Sequence, residues 1–151
     1  MRIAKWNYNR NNTHFNKDLE LTMLAEEAQE FKDGMTMYFE STNELEALEA
    51  LVEMIDAWAD YQFVAQGTFY KYLGSTARFD FDAIRTQEKY MFHTLLRLEI
   101  DETLLNEALD YVIIANEAKG TEKVDGKIQK GDTWVDPKFS IQQLLLDSDY
   151  V

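Results

Sequence analysis

ELEALEALVEMIDAWADYQFVAQ, residues 44–66, is the stretch on which the fold turns. At roughly 100° per residue it reads as a helix on which Glu46, Glu49, Glu53, Asp56 and Asp60 share one band roughly 80° wide. Leu45, Leu48, Val52, Ile55, Ala59 and Phe63 cover one flank, while Ala47, Ala50, Leu51, Met54, Ala57 and Trp58 cover most of the remainder. A helix that is apolar nearly all round is normally buried. Part of the acidic band should therefore face an interior or a cleft. Desolvated like charges are costly there, or take up protons, unless something positive offsets them. Divalent metal ions are the natural compensation; the alternative is a band that is simply a solvated face.

Working outward, Ser41 with Glu44, or Asn43 with Glu46, has the spacing of a capping box at the start of this helix, and Gly67 marks its expected end. Upstream, Leu21, Leu24, Ala28 and Phe31 predict a first helix over about 17–33, with Gly34 as its stop. That helix carries a second acidic stripe, Glu20, Glu27 and Glu30, interrupted by Met23. If the two helices pack antiparallel, Glu27 and Glu30 can face Glu53 and Asp56. Four convergent carboxylates make a hard oxygen site suited to Mg²⁺ or Mn²⁺.

The stretch 67–82 reads as a connection with partial order, and Ile84, Tyr90, Met91, Leu95 and Leu98 predict a third helix over about 81–98. Asp101 is a good N-cap for a fourth, running to about Asn116. Beyond Gly120 the chain becomes a polar tail, a loop or short hairpin about the Asp125-Gly126 turn, and Ser140 could cap a last short helix over 141–146. The expectation is one all-α domain over 1–151, with a helical core at about 13–118 and an irregular C-terminal tail at about 119–151.

Composition agrees. The 151 residues are 46% apolar and 28% charged, enough for one core, and six Gly with a single Pro are too few for the many tight turns of an all-β protein. There is no Cys, which excludes disulfides, thiolate metal sites and thiol nucleophiles. A formal charge of −13 opposes duplex nucleic acid and anionic membranes as partners. No apolar run approaches bilayer length, and the polar segment 1–12 does not read as a signal peptide, so the protein is expected to be cytoplasmic. No GxxxxGK[ST] loop and no GxSxG elbow occur. Neither His14 nor His93 has a Glu three residues before it, as a di-iron bundle requires. Trp6, Trp58 and Trp134 read as packing residues, although Trp134 could cover a base.

Glu26-Glu27-Ala28-Gln29-Glu30, followed by Glu53-Met54-Ile55-Asp56, resembles the EExxE and ExxD pair of the MazG-like all-α nucleoside triphosphate pyrophosphohydrolases. That superfamily includes dimeric dUTPases and phosphoribosyl-ATP pyrophosphohydrolases. A second stretch, YVIIANEAKGTEKVDGKIQK at 111–130, is similar to the fourth-helix end and tail of phage and bacterial MazG-like proteins. The matching residues are Asn116, Lys119, Asp125, Gly126, Lys127 and Lys130. Together the matches cover most of helices one, two and four and the early tail, and leave 67–98 outside.

The resemblance implies a four-helix MazG-like bundle, assembled as a homodimer or tetramer, in which Glu27, Glu30, Glu53 and Asp56 hold Mg²⁺ or Mn²⁺. Glu26 or Glu27 would orient or deprotonate an attacking water. Lys119, with Lys127 and Lys130, would meet the phosphates of a nucleotide substrate. Asp110, which shares a second ExxD spacing with Glu107, and Asn116 would contact the nucleotide or orient a ligand, although a regular helix turns Asn116 away from Glu107. The implied reaction cleaves the α–β phosphoanhydride to a monophosphate and pyrophosphate. The alternative is an acidic non-enzymatic interaction protein such as a DNA mimic, which would explain the charge but not its clustering on an otherwise apolar helix.

Overall fold

In the computed structural model, which describes residues 2–132 and 134–148, the acidic helix α3 (Glu44–Tyr72) is the axis on which the other elements pack. Asn43 Oδ1 accepts the Glu46 amide at 2.9 Å, and the Glu46 carboxylate accepts the Thr42 amide at 2.9 Å. The second of the two capping spacings is thus the one in use, and it accounts for Glu46 as a cap rather than a site residue.

α2 (Lys17–Glu40) lies antiparallel along α3: Glu20 meets Thr68 and Lys71 at one end, while Gly34 lies against Ala50 and Met54 towards the other. Neither Gly34 nor Gly67 ends its helix. Glycine inside a helix costs about 1 kcal/mol relative to alanine, and both positions offset that cost with close contacts. A Cβ at Gly34 would sit 2.9 Å from Met54 Cγ and 3.2 Å from Met54 N, and one at Gly67 would sit 3.1 Å from Asn7 Nδ2. Sequence alone cannot distinguish a helix-stopping glycine from one that admits a neighbour.

α4 (Phe81–Arg97) starts on Asp80, whose Oδ1 accepts the Ala83 amide at 3.0 Å, and α5 (Glu102–Glu117) starts on Asp101 as expected, with the Thr103 amide at 2.9 Å. Both apply the same rule: a short acidic side chain satisfies an amide that the first turn leaves without a partner. Phe31, Met91, Leu95, Leu105 and Val112 close on Met54 and Ile55 of α3, and all seven are fully buried. Residues 138–147 form α6 (Lys138–Asp147), which adds Ile141 and Leu145 to this core. Its start is earlier than Ser140: Asp136 Oδ1 accepts the Lys138 amide at 3.0 Å, and Pro137 occupies the entry to the helix, where its missing N–H costs nothing.

Two further findings alter the expected layout. Residues 2–9, read as outside the helical core, form α1 (Arg2–Asn9), and its Ile3 and Trp6 pack with Phe63 in a small second cluster. Arg10 then donates to the carbonyls of Glu117 at 3.1 Å, Lys119 at 2.8 Å and Gly120 at 3.1 Å, clamping the C-terminal end of α5. Also, the cover that the apolar α3 requires is supplied by α1, α2, α4, α5 and α6 of the same chain.

The tail forms the short hairpin, β1 (Lys123–Val124) paired antiparallel with β2 (Lys127–Ile128). Asp125 at φ 52° and Gly126 at φ 80° make the left-handed pair that a two-residue hairpin turn demands. Among the described residues the architecture is all-α apart from this hairpin, and no helix is long and apolar enough to cross a membrane.

Candidate active site

A cavity of about 330 Å³ opens between α2, α3, the C-terminal end of α5 and the tail. α2 contributes Glu26, Glu27 and Glu30, and α3 contributes Asp56 and Asp60. Carboxylate oxygens of Glu27, Glu30 and Asp60 all lie within 4.8 Å of one another. Each is about three turns or more from either end of its helix, so the flanking apolar residues that hold α2 against α3 also hold the three acids together.

The electrostatics follow from that packing. Burial, reinforced by Asp60, Glu30 and Asp56, pushes Glu27 up to about 10. Burial also pushes Asp56 up to about 7; Lys138 opposes the rise, while Asp136, Glu53 and Glu30 add to it. Asp60 is raised well above the ordinary aspartate range by burial and by Asp56. Desolvation and like charge act in the same direction on all three groups. Two of the oxygens, Glu27 Oε2 and Asp56 Oδ1, are buried without a hydrogen-bond donor among the described residues. Asp56 itself is only 6% exposed. Buried carboxylate oxygens without donors need either a proton or a cation. An all-oxygen donor set of this kind fits Mg²⁺ or Mn²⁺; Glu27, Glu30 and Asp60 are the residues close enough to share such an ion, with Asp56 on the same cavity wall.

The sequence-predicted acids are not all in the same place. Of the four expected ligands, Glu27 and Glu30 lie together, and Asp56 lines the same cavity without joining their cluster. Asp60, one turn further along the same band, joins them and was not among the expected ligands. Glu53 does not line the cavity: its carboxylate is 3.1 Å from Lys138 Nζ at the α6 edge. Glu20 is buried apart from the cluster, with its charge met by Lys71 at 2.7 Å and by the Thr68 hydroxyl at 2.8 Å. Glu49 remains exposed.

The expected phosphate-binding lysines do converge. Lys119, Lys127 and Lys130 all line the same cavity as the acids. Burial lowers the Lys119 pKa, opposed by the charges of Asp60 and Glu27. Lys127 Nζ is 2.9 Å from Glu26, which leaves Glu26 at the rim rather than in the cluster. Lys130 Nζ lies 4.1 Å from the centre of the Trp134 ring, whose buried Nε1 has no acceptor among the described residues.

α5 continues regularly to Glu117, so Asn116 and Asp110 serve different surfaces. Asn116 is buried at the cavity wall; its Nδ2 donates to Val112 O at 2.9 Å, and its own carbonyl accepts Trp6 Nε1 at 2.6 Å. Asp110 is instead paired with Arg2 on the outside of the helix, near the exposed Glu107, and lies away from the cavity. Sequence reasoning also missed Lys138 and Asp136, which line the cavity from the start of α6. The only signal for them was a lysine directly after the chain's single proline. Comparison with family models, curated proteins and solved structures finds no match to this chain.

Proposed function

We propose that this chain is a Mg²⁺-dependent nucleoside triphosphate pyrophosphohydrolase of the MazG-like kind, cleaving its substrate to a monophosphate and pyrophosphate. The observation that carries the reading is what one cavity holds: Glu27, Glu30 and Asp60 with oxygens within 4.8 Å, and Lys119, Lys127 and Lys130 in the same lining. Such a lining suits a polyphosphate bound by cations of two kinds, metal ions on the acids and the ammonium groups of the lysines.

Mg²⁺ held by Glu27, Glu30 and Asp60 would supply neutralisation of phosphate charge and a lowered pKa for a bound water. The protein's own groups do the rest. Lys119, half-buried and of reduced proton affinity, keeps its charge close to the acids and binds phosphate oxygens where water competes least. Lys127 and Lys130 extend that contact towards the mouth. Glu26, paired with Lys127 at 2.9 Å, would orient an attacking water. The homodimer or tetramer belongs to the same family-based reading; exposed Phe39, Leu45, Leu73 and Phe139 are available for such contacts.

The test is a panel of nucleoside triphosphates with Mg²⁺, resolved by chromatography. Monophosphate and pyrophosphate are the expected products. Diphosphate with orthophosphate would place the cut at the outer bond and reject the assignment. No turnover of any nucleotide would favour the acidic interaction protein instead.

A further inference from the structure

The cavity extends well beyond the acids. Asp56, Asp60, Val64, Gly67 and Lys71 line it on successive turns of α3. From Asp60 to Lys71 this is about 16 Å of helix at about 1.5 Å per residue. That length suits a nucleoside carrying its phosphates rather than free pyrophosphate, and the far end, walled by α1, has its own chemistry.

Hydrogen bonding there fixes which atoms are left for a ligand. The Ile3 carbonyl can only accept, so the Asn7 amide meets it with Nδ2, at 2.8 Å. Asn7 Oδ1 is thereby an acceptor, and it takes Asn12 Nδ2 at 2.6 Å. Flipping the Asn12 amide would set two carbonyl oxygens against each other. Asn12 Oδ1 is therefore the remaining acceptor of a residue that lines the cavity. Beyond it, Lys71 carries three N–H donors and no acceptor. Glu20 engages the ammonium with both oxygens, at 2.7 and 2.9 Å, which leaves one donor over. Lys71 is the last α3 residue along the cavity, so the outermost substituent of a base bound at this end meets a group that can only donate.

Resting on the proposed nucleotide reading, we propose that the Asn7–Asn12–Lys71 end of the cavity is a base-recognition subsite selecting nucleobases whose outermost substituent is a carbonyl, such as uracil, thymine, guanine or hypoxanthine. The base carbonyl accepts from Lys71, and the adjacent ring N–H donates to Asn12 Oδ1. Cytosine and adenine put an amino group against the ammonium and a ring nitrogen lone pair against the amide oxygen, so both contacts fail together.

The experiment has two arms on the full-length chain. With Mg²⁺, kcat/KM for pyrophosphate release is measured for dUTP, dTTP, dGTP, dCTP and dATP. Separately, binding of their non-hydrolysable α,β-methylene analogues is measured by calorimetry. dUTP, dTTP and dGTP should lead dCTP and dATP by roughly tenfold or more in both, the loss expected when a buried donor or acceptor goes unmatched. Asn12→Ala should shrink that ratio towards one while leaving the Mg²⁺-induced rise in melting temperature intact. Equal use, or a preference for dCTP or dATP, would overturn the subsite. If nothing is hydrolysed, the catalytic reading falls, and the binding arm still decides: carbonyl-selective binding upholds the subsite, and unselective or absent binding rejects it.

Discussion

Glu27→Gln in the metal-free protein puts the electrostatics of the carboxylate cluster to a direct test. Burial, and after it Asp60, Glu30 and Asp56, moves Glu27 from 4.5 to about 10. The folded protein then retains a proton that the unfolded chain has released. A raised carboxylate pKa therefore gives stability that is complete below the unfolded value and is lost as pH climbs towards the folded one. For Glu27 that window runs from 4.5 to about 10. At pH 7.5 the separation from the unfolded value corresponds to about 4 kcal/mol at about 1.4 kcal/mol per unit. Sharing of protons among the coupled carboxylates and entry of water into the cavity reduce this to about 2 kcal/mol. Glutamine has nearly the same shape and never ionises. Glu27→Gln should therefore be about 2 kcal/mol more stable than the parent at pH 7.5, or about 4–8 °C in Tm for a chain of this size, with no gain near pH 4.5. Urea and thermal melts in EDTA at several pH values read the effect, with the exposed Glu49→Gln as control. A Glu27→Gln protein that gains nothing at pH 7.5, or gains equally at both ends of the range, would mean the acids are solvated and the reasoning fails.

Other consequences follow from the same packing. Mg²⁺ or Mn²⁺ at a hundredfold excess over its Kd should stabilise the parent by about 2.7 kcal/mol; Asp60→Asn should weaken that response and Glu122→Gln should not, and equal responses would remove Asp60 from the ligand set. Lys71→Met strands the buried Glu20 charge and should cost about 3–5 kcal/mol, much of it regained when Glu20→Met is added; a double-mutant cycle in urea showing simple additivity would contradict the buried pair. Gly34→Ala gains about 1 kcal/mol of helix propensity but forces a methyl into Met54, so a net loss of about 1–2 kcal/mol is expected. A Gly34→Ala protein more stable than the parent would show that α2 and α3 are free to separate.

Much of the fold was legible because helical periodicity is a local property. The apolar remainder of residues 44–66 predicted a buried acidic helix, and α3 is one. Asn43 and Asp101 announced their helices through side chains that reach only two or three residues ahead, and Asp125-Gly126 announced its turn through positive φ. That Glu27, Glu30 and Asp56 would line one cavity with Lys119, Lys127 and Lys130 was anticipated from two stripes and a family likeness; that Asp60 rather than Glu53 would join Glu27 and Glu30 was not. α1 escaped notice because eight residues with two apolar anchors, Ile3 and Trp6, are too few to establish a period. Its fold depends on Phe63 and on contacts with α5 more than a hundred positions away, such as Trp6 with Asn116.

What the sequence determined by itself was which face of each helix carries charge, since that depends only on residue spacing along one backbone. It could not determine how far one helix slides past the next. The close approach of Gly34 to Met54 and the buried Glu20–Lys71 pair fix that slide, and they bring Asp60 to Glu27 and Glu30. Glu53, two turns behind on the same band, meets Lys138 of α6 instead. Neither contact leaves a trace in local periodicity, because each joins residues brought together only when the two helices pack. Tertiary packing therefore decided which acids share a cavity and how far their proton affinities rise.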